Sequence, residues 1–264
     1  MVDKTRVSNM SREDSSPATP SFVATLPSSS DGNQIRNKIL LALPAKEKEN
    51  LLSKLEFMRL NIRHVLHEPG DSLRSVYFPN SGLVSILSVF PDGKCVEVGL
   101  VGKEGFVGHP LVAGFRTANT RAIVQIAGSA FRVDADALSG MLRQSPVLER
   151  RLQECSQILA MEVTQVAACN RLHEVNERLA RWLLMCADRI DSTSVPLTQE
   201  FLAHMLGTRR SSVTVAAGIL EVAGLITNSR GKIDIIDRSK LEKAACECYQ
   251  IMRTQLGEWR SQSA

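Results

Sequence analysis

The chain has 264 residues, 44% of them apolar, enough for one large domain or two ordinary ones with proper cores. Its 32 Lys and Arg against 28 Asp and Glu leave a formal charge of +4. Bulk charge that mild cannot argue for nucleic-acid binding; only the placement of the arginines can. No apolar run is long enough for a membrane span, and the N-terminus lacks the apolar core of a signal peptide. The expected location is cytoplasmic, with no membrane partner.

Residues 1–34, rich in Ser, Pro, Thr, Asp and Asn, read as a disordered tail. A helix is expected at about 35–43, ending at Pro44. A second is expected over Ala45–Phe57, with Leu51, Leu52 and Leu55 inward. From Ile62 to Val133 the texture changes to short strands and glycine turns. Ser75–Phe78, Leu83–Val89, Cys95–Leu100, Arg121–Ile126 and Ala130–Val133 are the strand candidates. Glu68-Pro69-Gly70-Asp71 and Pro91-Asp92-Gly93-Lys94 are turn signals between them. Many short strands at close spacing predict an antiparallel β-barrel or jelly roll over 35–145, within an α+β chain. Gly99, Gly102, Gly105 and Gly108 recur every third residue and read as turns.

A helical pattern returns over Val147–Cys169. Leu152, Leu159 and Val166 repeat every seven residues, and Leu148, Cys155 and Glu162 fill the alternate positions, an imperfect heptad seam. This predicts a dimerisation helix over 146–170, with Leu148, Leu152, Cys155, Leu159 and Val166 at the interface of a homodimer. Packing on the chain's own barrel is the alternative. A further helix over Leu172–Ile190 leads into the most informative segment, residues 197–226 of a C-terminal domain at 171–264.

There, two apolar-faced helices flank Gly207, the left-handed residue a tight corner needs. Thr198 can cap the first helix and Glu200 places charge in its first turn. In the second, Val213, Ala216, Ala217 and Leu220 share a buried face. The opposite face carries Arg210, Ser211, Thr214, Val215 and Gly218, narrow and polar near its N-terminus, as a major-groove reader must be. Ile226-Thr227, the turn Asn228-Ser229-Arg230-Gly231 and the alternating Lys232-Ile233-Asp234-Ile235 read as a hairpin with Arg230 and Lys232 at its tip. Helix-turn-helix plus hairpin is a winged helix. Its expected DNA-binding residues are Thr198, Arg209, Arg210, Ser211, Thr214, Val215, Arg230 and Lys232. Leu241, Ala244, Ala245, Cys248 and Met252 mark a closing helix.

Nothing points to an enzyme. The histidines at 64, 67, 109, 173 and 204 form no catalytic pattern, and neither a phosphate-binding P-loop nor a G-x-S-x-G elbow occurs. His64-x-x-His67-Glu68 falls on an extended segment, where i and i+3 point to opposite faces. His173 beside Glu174 and Glu177 reads as a solvated face. The six cysteines, at 95, 155, 169, 186, 246 and 248, include no CxxC pair. They are expected to be reduced, small or incidental residues, with no metal site, Cys246 and Cys248 pointing apart on one helix.

The order of barrel, seam helix and winged helix resembles the Crp/Fnr superfamily of bacterial transcription regulators over about residues 40–258. The likeness is most specific in Leu206-Gly207-Thr208-Arg209-Arg210-Ser211-Ser212-Val213 and Glu221-Val222-Ala223-Gly224-Leu225-Ile226. In the barrel it rests on Glu68-Pro69-Gly70-Asp71, Gly82, Asp92-Gly93 and Gly105-Phe106-Val107-Gly108. The resemblance implies a homodimer on a two-fold symmetric double-stranded DNA site, RNA polymerase as a partner, and an effector in the barrel. Two departures stand out. The family's Arg-Glu-x-x-x-Arg in the recognition helix corresponds here to Arg210, Ser211 and Val215, which implies a different operator. The cyclic-nucleotide cassette Gly-Glu-Leu, then Arg-[Ser/Thr]-Ala, corresponds to Gly108-His109-Pro110-Leu111 and Asn119-Thr120-Arg121-Ala122. His109 replaces the glutamate, and Arg121 is one residue out of register, which on a strand turns it to the other face unless a bulge restores it. Gly108, His109 and Arg121 are the candidate effector pocket; no cofactor is expected, the effector is unassigned, and tight cyclic AMP binding is not expected. The competing function is a ligand- or redox-sensing module whose DNA binding is vestigial.

Overall fold

Residues 34–197 and 199–262 are described by a computed structural model of the chain. The expected tail, apart from Gln34, and Thr198 lie outside the described residues. In order, the elements are α1 (Lys38–Leu41), α2 (Ala45–Leu52), β1 (Glu56–Leu60), β2 (Val65–His67), β3 (Ser75–Val89), β4 (Cys95–Val101), α3 (His109–Val112), β5 (Arg121–Asp134), α4 (Ala135–Leu142) and α5 (Pro146–Leu172). They continue with α6 (Val175–Ile190), β6 (Ser194–Pro196), α7 (Gln199–Met205), α8 (Arg210–Val222), β7 (Ile226–Ser229), β8 (Lys232–Ile235), α9 (Arg238–Ala244) and α10 (Cys248–Gln262).

The N-terminal half is an antiparallel, jelly-roll-like sheet in the order β1-β5-β3-β4, with β2 also on β5. Four expected strands are here two. Ser75–Phe78 and Leu83–Val89 join into β3, and Arg121–Ile126 and Ala130–Val133 into β5; their 15- and 14-residue runs pair along their length through register shifts near Pro79–Val84. The bulges absorb the turn-like residues between the halves without ending the ladder. The helix expected over Ala45–Phe57 stops at Leu52, and Phe57 sits in β1, its ring edge-on to Phe131 at 5.6 Å. β2 and β6 are too short to show a periodicity, three residues each.

Alternation along β5 divides the core. Ala122 and Val124 face inward with Leu60, Val84, Ile86, Val101, Val107 and Ala130. Ile123 faces the other way, onto a larger cluster that includes Leu83, Leu87, Leu100 and much of α6, with Trp182 and Leu183 at its centre. A third cluster packs α1, α4 and the start of α5 on Phe78, Phe106, Phe131 and Val133. The winged-helix half is thus continuous with the barrel's outer face through α6.

The heptad seam of α5 turns inward. Leu148, Leu152 and Cys155 are buried in the cluster with Phe78 and Phe106, and Val166 in the cluster around α6. Leu159 is half-buried against β4; a Cβ on Gly99 would lie 2.6 Å from its Cδ1, so a side chain there would have to displace the end of Leu159. Packing within the chain, the alternative reading of the pattern, buries four of these five residues and covers Leu159 in part. Gln157, Thr164, Ala168 and Arg171 are exposed and Met161 half-exposed, at alternating steps of four and three along the opposite side.

Candidate nucleic-acid interface

Three elements build the site. α7 ends where Leu206 N–H and Thr208 N–H donate back to the Leu202 and Ala203 carbonyls, and Gly207 takes φ 57° at the corner. A side chain at Gly207 would also meet Val96 on β4, whose Cγ2 is 2.8 Å from the place a Cβ would occupy. α8 then starts from an extended Arg209 that caps it through no side-chain bond. The first N–H groups of α8 therefore keep the anion affinity of a free helix N-terminus.

Val213, Ala216, Ala217 and Leu220 bury one face of α8 against α6 and α7. Arg209, Arg210, Ser211, Thr214 and Val215 are exposed, Val215 at 64%. Thr214 Oγ1 donates back to the Arg210 carbonyl at 3.1 Å. Farther along, Ile219 and Val222 continue this face with exposed apolar groups. The wing is β7–β8, tight at Arg230-Gly231, where Gly231 has φ 83°. Arg230 is exposed, whereas Lys232 Nζ is paired with Asp234 at 2.8 Å. The wing sheet has a third strand, β6, on β8, which holds the hairpin to the end of α6. Arg209 and Arg210 at the start of α8 and Arg230 at the wing are exposed, and Glu221 of α8 accepts from the Asn228 N–H of the wing at 3.0 Å.

The candidate effector residues are not brought together around a cavity. Arg121 Nε donates to both Glu68 oxygens, at 3.0 and 2.8 Å, from the face of β5 opposite the inward Ala122 and Val124. Gly108, at φ 113°, precedes α3. The His109 ring stacks on Phe106 at 4.1 Å and its Nδ1 meets Ser156 Oγ at 3.1 Å. Burial depresses the imidazole to about 3, so it is neutral at physiological pH. The space beside it, lined by Leu100, Glu104, Cys155, Leu159, Glu162 and Arg189, measures about 20 Å³. That is roughly one water.

Sequence patterns did not reveal the polar groups that fill this region. Arg189 of α6 bridges Glu104 Oε1 at 2.9 Å and Glu162 Oε1 of α5 at 2.6 Å, all three side chains nearly inaccessible. Trp182 Nε1 donates to Glu97 Oε1 of β4 at 2.6 Å. Burial lifts that carboxyl to about 7, against hydrogen bonds from Ser85 and Trp182 that lower it. Trp182 and Glu97 stand 85 positions apart in the chain, beyond the reach of any local period. A charge at an otherwise apolar helical position, Arg189 or Glu162, was the only signal.

Comparison with known proteins fits this geometry. Residues 58–145 match the profile of the cyclic nucleotide-binding domain, and residues 177–244 that of the Crp-like helix-turn-helix domain. The chain is 24% identical over 198 residues to the transcriptional regulator LdrP of Thermus thermophilus, across 69% of this chain and 93% of that protein. It is 27% identical over 211 residues to a CRP-like cAMP-activated global transcriptional regulator of Mycobacterium tuberculosis, across 74% and 88%. Among solved structures, a putative regulator of the Crp/Fnr family from Eubacterium rectale superposes with a TM-score of 0.63 at 17% identity, covering 79% of this chain and 98% of that one. The c-di-GMP responsive global regulator CLP of Xanthomonas campestris gives 0.62 at 18%, covering 74% and 100%. At these identities the structural likeness speaks for the fold.

Proposed function

We infer, from the chain's place in the Crp/Fnr superfamily of transcription regulators, that α8 reads base edges and that a homodimer binds an inverted-repeat DNA site. The observation that carries this is the exposed face of α8, with Arg209 and Arg210 at a helix start that has no side-chain cap. An arginine in the first turn of a groove-bound helix can grip guanine O6 and N7 together. Ser211 is short enough to bring the backbone close, and Val215 offers a methyl surface to thymine. Arg230 and, when released from Asp234, Lys232 serve phosphate.

The proposed dimer contact is the outward row of α5, Gln157, Met161, Thr164, Ala168 and Arg171, whose small members let two helices approach closely. Two-fold pairing there gives two α8 helices from one continuous assembly, as an inverted repeat requires. Ala168→Glu places like charges across that axis and should yield monomers in sedimentation. An unchanged dimer would remove this face from the reading.

Cyclic AMP is not the proposed effector. A cyclic phosphate leaving water needs a fixed cation or several donors. Here Arg121 is engaged by Glu68, and the space near His109 holds the carboxylates of Glu104 and Glu162 instead. Calorimetry with cyclic AMP and cyclic GMP should show no micromolar binding; binding lost in Arg121→Ala would overturn this. The regulators form a family of DNA-binding proteins and not of enzymes. Among the described residues no helix is long and apolar enough to cross a membrane, which suits a cytoplasmic regulator that meets RNA polymerase at promoters. A gel shift on the chain's own upstream DNA tests the proposal: a salt-sensitive, sequence-specific shift is expected, and its absence would favour a sensor with vestigial DNA binding.

A further inference from the structure

Cys169, His173, Cys246 and Cys248, which no spacing in the sequence groups, meet at one point of the fold. Cys169 is in the last turn of α5, and His173 ends that helix just before α6 begins. The expected closing helix breaks at Ala245, which is extended (ψ 149°), into α9 and α10. The break lets Cys246 and Cys248 converge, where a continuous helix would have splayed them. Their three sulfurs and one imidazole nitrogen all lie within 4.8 Å of one another. Cys169 Sγ is 3.5 Å from Cys246 Sγ, and Cys248 Sγ is 3.7 Å from His173 Nδ1. All three cysteines are buried, and His173, expected on a solvated face, is 16% exposed at its side chain.

We propose that these four side chains form a tetrahedral Cys3His site for a zinc ion. With Zn–S near 2.3 Å and Zn–N near 2.0 Å, tetrahedral ligands stand about 3.8 Å apart sulfur to sulfur and about 3.5 Å sulfur to nitrogen. The two distances above already lie close to those edges. A cluster of two irons needs its ligand pairs on opposite sides of the core, and four donors this close leave no room for it.

The surroundings suit a metal thiolate. His173 Nε2 faces Glu247 Oε1 at 3.2 Å, which sets Nε2 as the protonated nitrogen and turns the Nδ1 lone pair to the sulfurs. Gln165 Nε2 donates to Cys248 Sγ at 3.1 Å. Arg178 and Arg181 are buried beside the group, and the Nε of each has no hydrogen-bond partner among the described residues. Three thiolates on a dication leave one net negative charge, which would offset those buried guanidiniums. The site joins the end of α5 and the start of α6 to the α9–α10 corner. Zinc would therefore tie the α5–α6 junction to the elements that follow the wing.

The test is metal content of the full chain purified under reducing conditions, with cobalt(II) as a spectroscopic substitute. One zinc per chain is expected, and cobalt should give a thiolate charge-transfer band with the visible bands of a tetrahedral site. Cys169→Ser and Cys248→Ser should lose the metal, while Cys95→Ser on β4 keeps it. Glu247→Gln should weaken zinc affinity about 10–100-fold. The wild-type cobalt spectrum decides the matter even where a variant fails to fold. Octahedral cobalt bands, metal retained by the folded Cys169→Ser/Cys248→Ser double variant, iron with sulfide in place of zinc, or a Cys169–Cys246 disulfide that survives purification under reducing conditions would each overturn the proposal.

Discussion

Replacing Glu97 by glutamine should stabilise the protein at alkaline pH and leave it unchanged in acid. Glu97 is fully enclosed, its Oε1 holds Trp182 Nε1 at 2.6 Å, and its Oε2 has no hydrogen-bond partner among the described residues. Burial moves the carboxyl from the ordinary 4.5 to about 7. The folded chain thus holds this proton more tightly than the unfolded chain. The group's stabilising contribution is complete below pH 4.5 and is lost as the pH rises through 7. A rise of that size corresponds to about 3 kcal/mol lost between those limits. Glutamine keeps the carbonyl that accepts from Trp182 and has no charge to desolvate. Urea unfolding of both proteins at pH 5, 6, 7 and 8, followed by tryptophan fluorescence, reads the effect. The wild type should lose stability relative to Glu97→Gln across this range, the difference approaching about 3 kcal/mol at pH 8. Parallel pH profiles would refute the raised carboxyl of Glu97 and the complete exclusion of water from it.

Other substitutions probe the neighbouring links. Arg189→Leu leaves Glu104 and Glu162 buried without their cation and should cost about 3–5 kcal/mol in urea unfolding at pH 8; adding Glu104→Gln and Glu162→Gln should restore part of it. Leu152→Ala, at a wholly buried site, should cost about 2–5 kcal/mol with the association state unchanged; a shift to monomers would return the heptad seam to the dimer interface. Arg230→Ala should lower the slope of log affinity against log salt by about one for each phosphate the side chain neutralises, and Lys232→Ala by less, because Asp234 already holds that lysine; equal losses would mean that the wing pair opens on DNA.

Elements with a period of their own were legible in the sequence. The two helices around Gly207, the wing and the length of α5 follow from local apolar spacing and turn chemistry, and the structure places them within a few residues of expectation. The direction of α5 was not legible. A heptad repeat states that one face is buried but not in what, and here Phe78 and Phe106, β4 and α6 pack on that face within the chain. Gly82 and Gly128 interrupt the apolar alternation as turns do, although bulges carry β3 and β5 through. The cysteine group was invisible for a related reason. Its members come from two distant segments, and a helix break at Ala245, set by tertiary packing, brings the last two together. In the candidate interface, the exposed Arg209, Arg210, Ser211 and Val215 sit where the amphipathic pattern of α8 put them, while the Lys232–Asp234 pairing needed coordinates.

Selection of bound sequences from a random double-stranded DNA pool, with the wild type and Arg210→Ala side by side, tests sequence-specific binding through α8 most directly. The wild type should enrich an inverted repeat whose half-site centres lie about one helical turn, roughly 34–36 Å, apart. Arg210→Ala should relax one base position in each half-site and lose about 1–3 kcal/mol of specific affinity. Failure of the wild type to enrich any motif, or an identical motif and affinity in Arg210→Ala, would contradict the assignment of α8 as the reading helix.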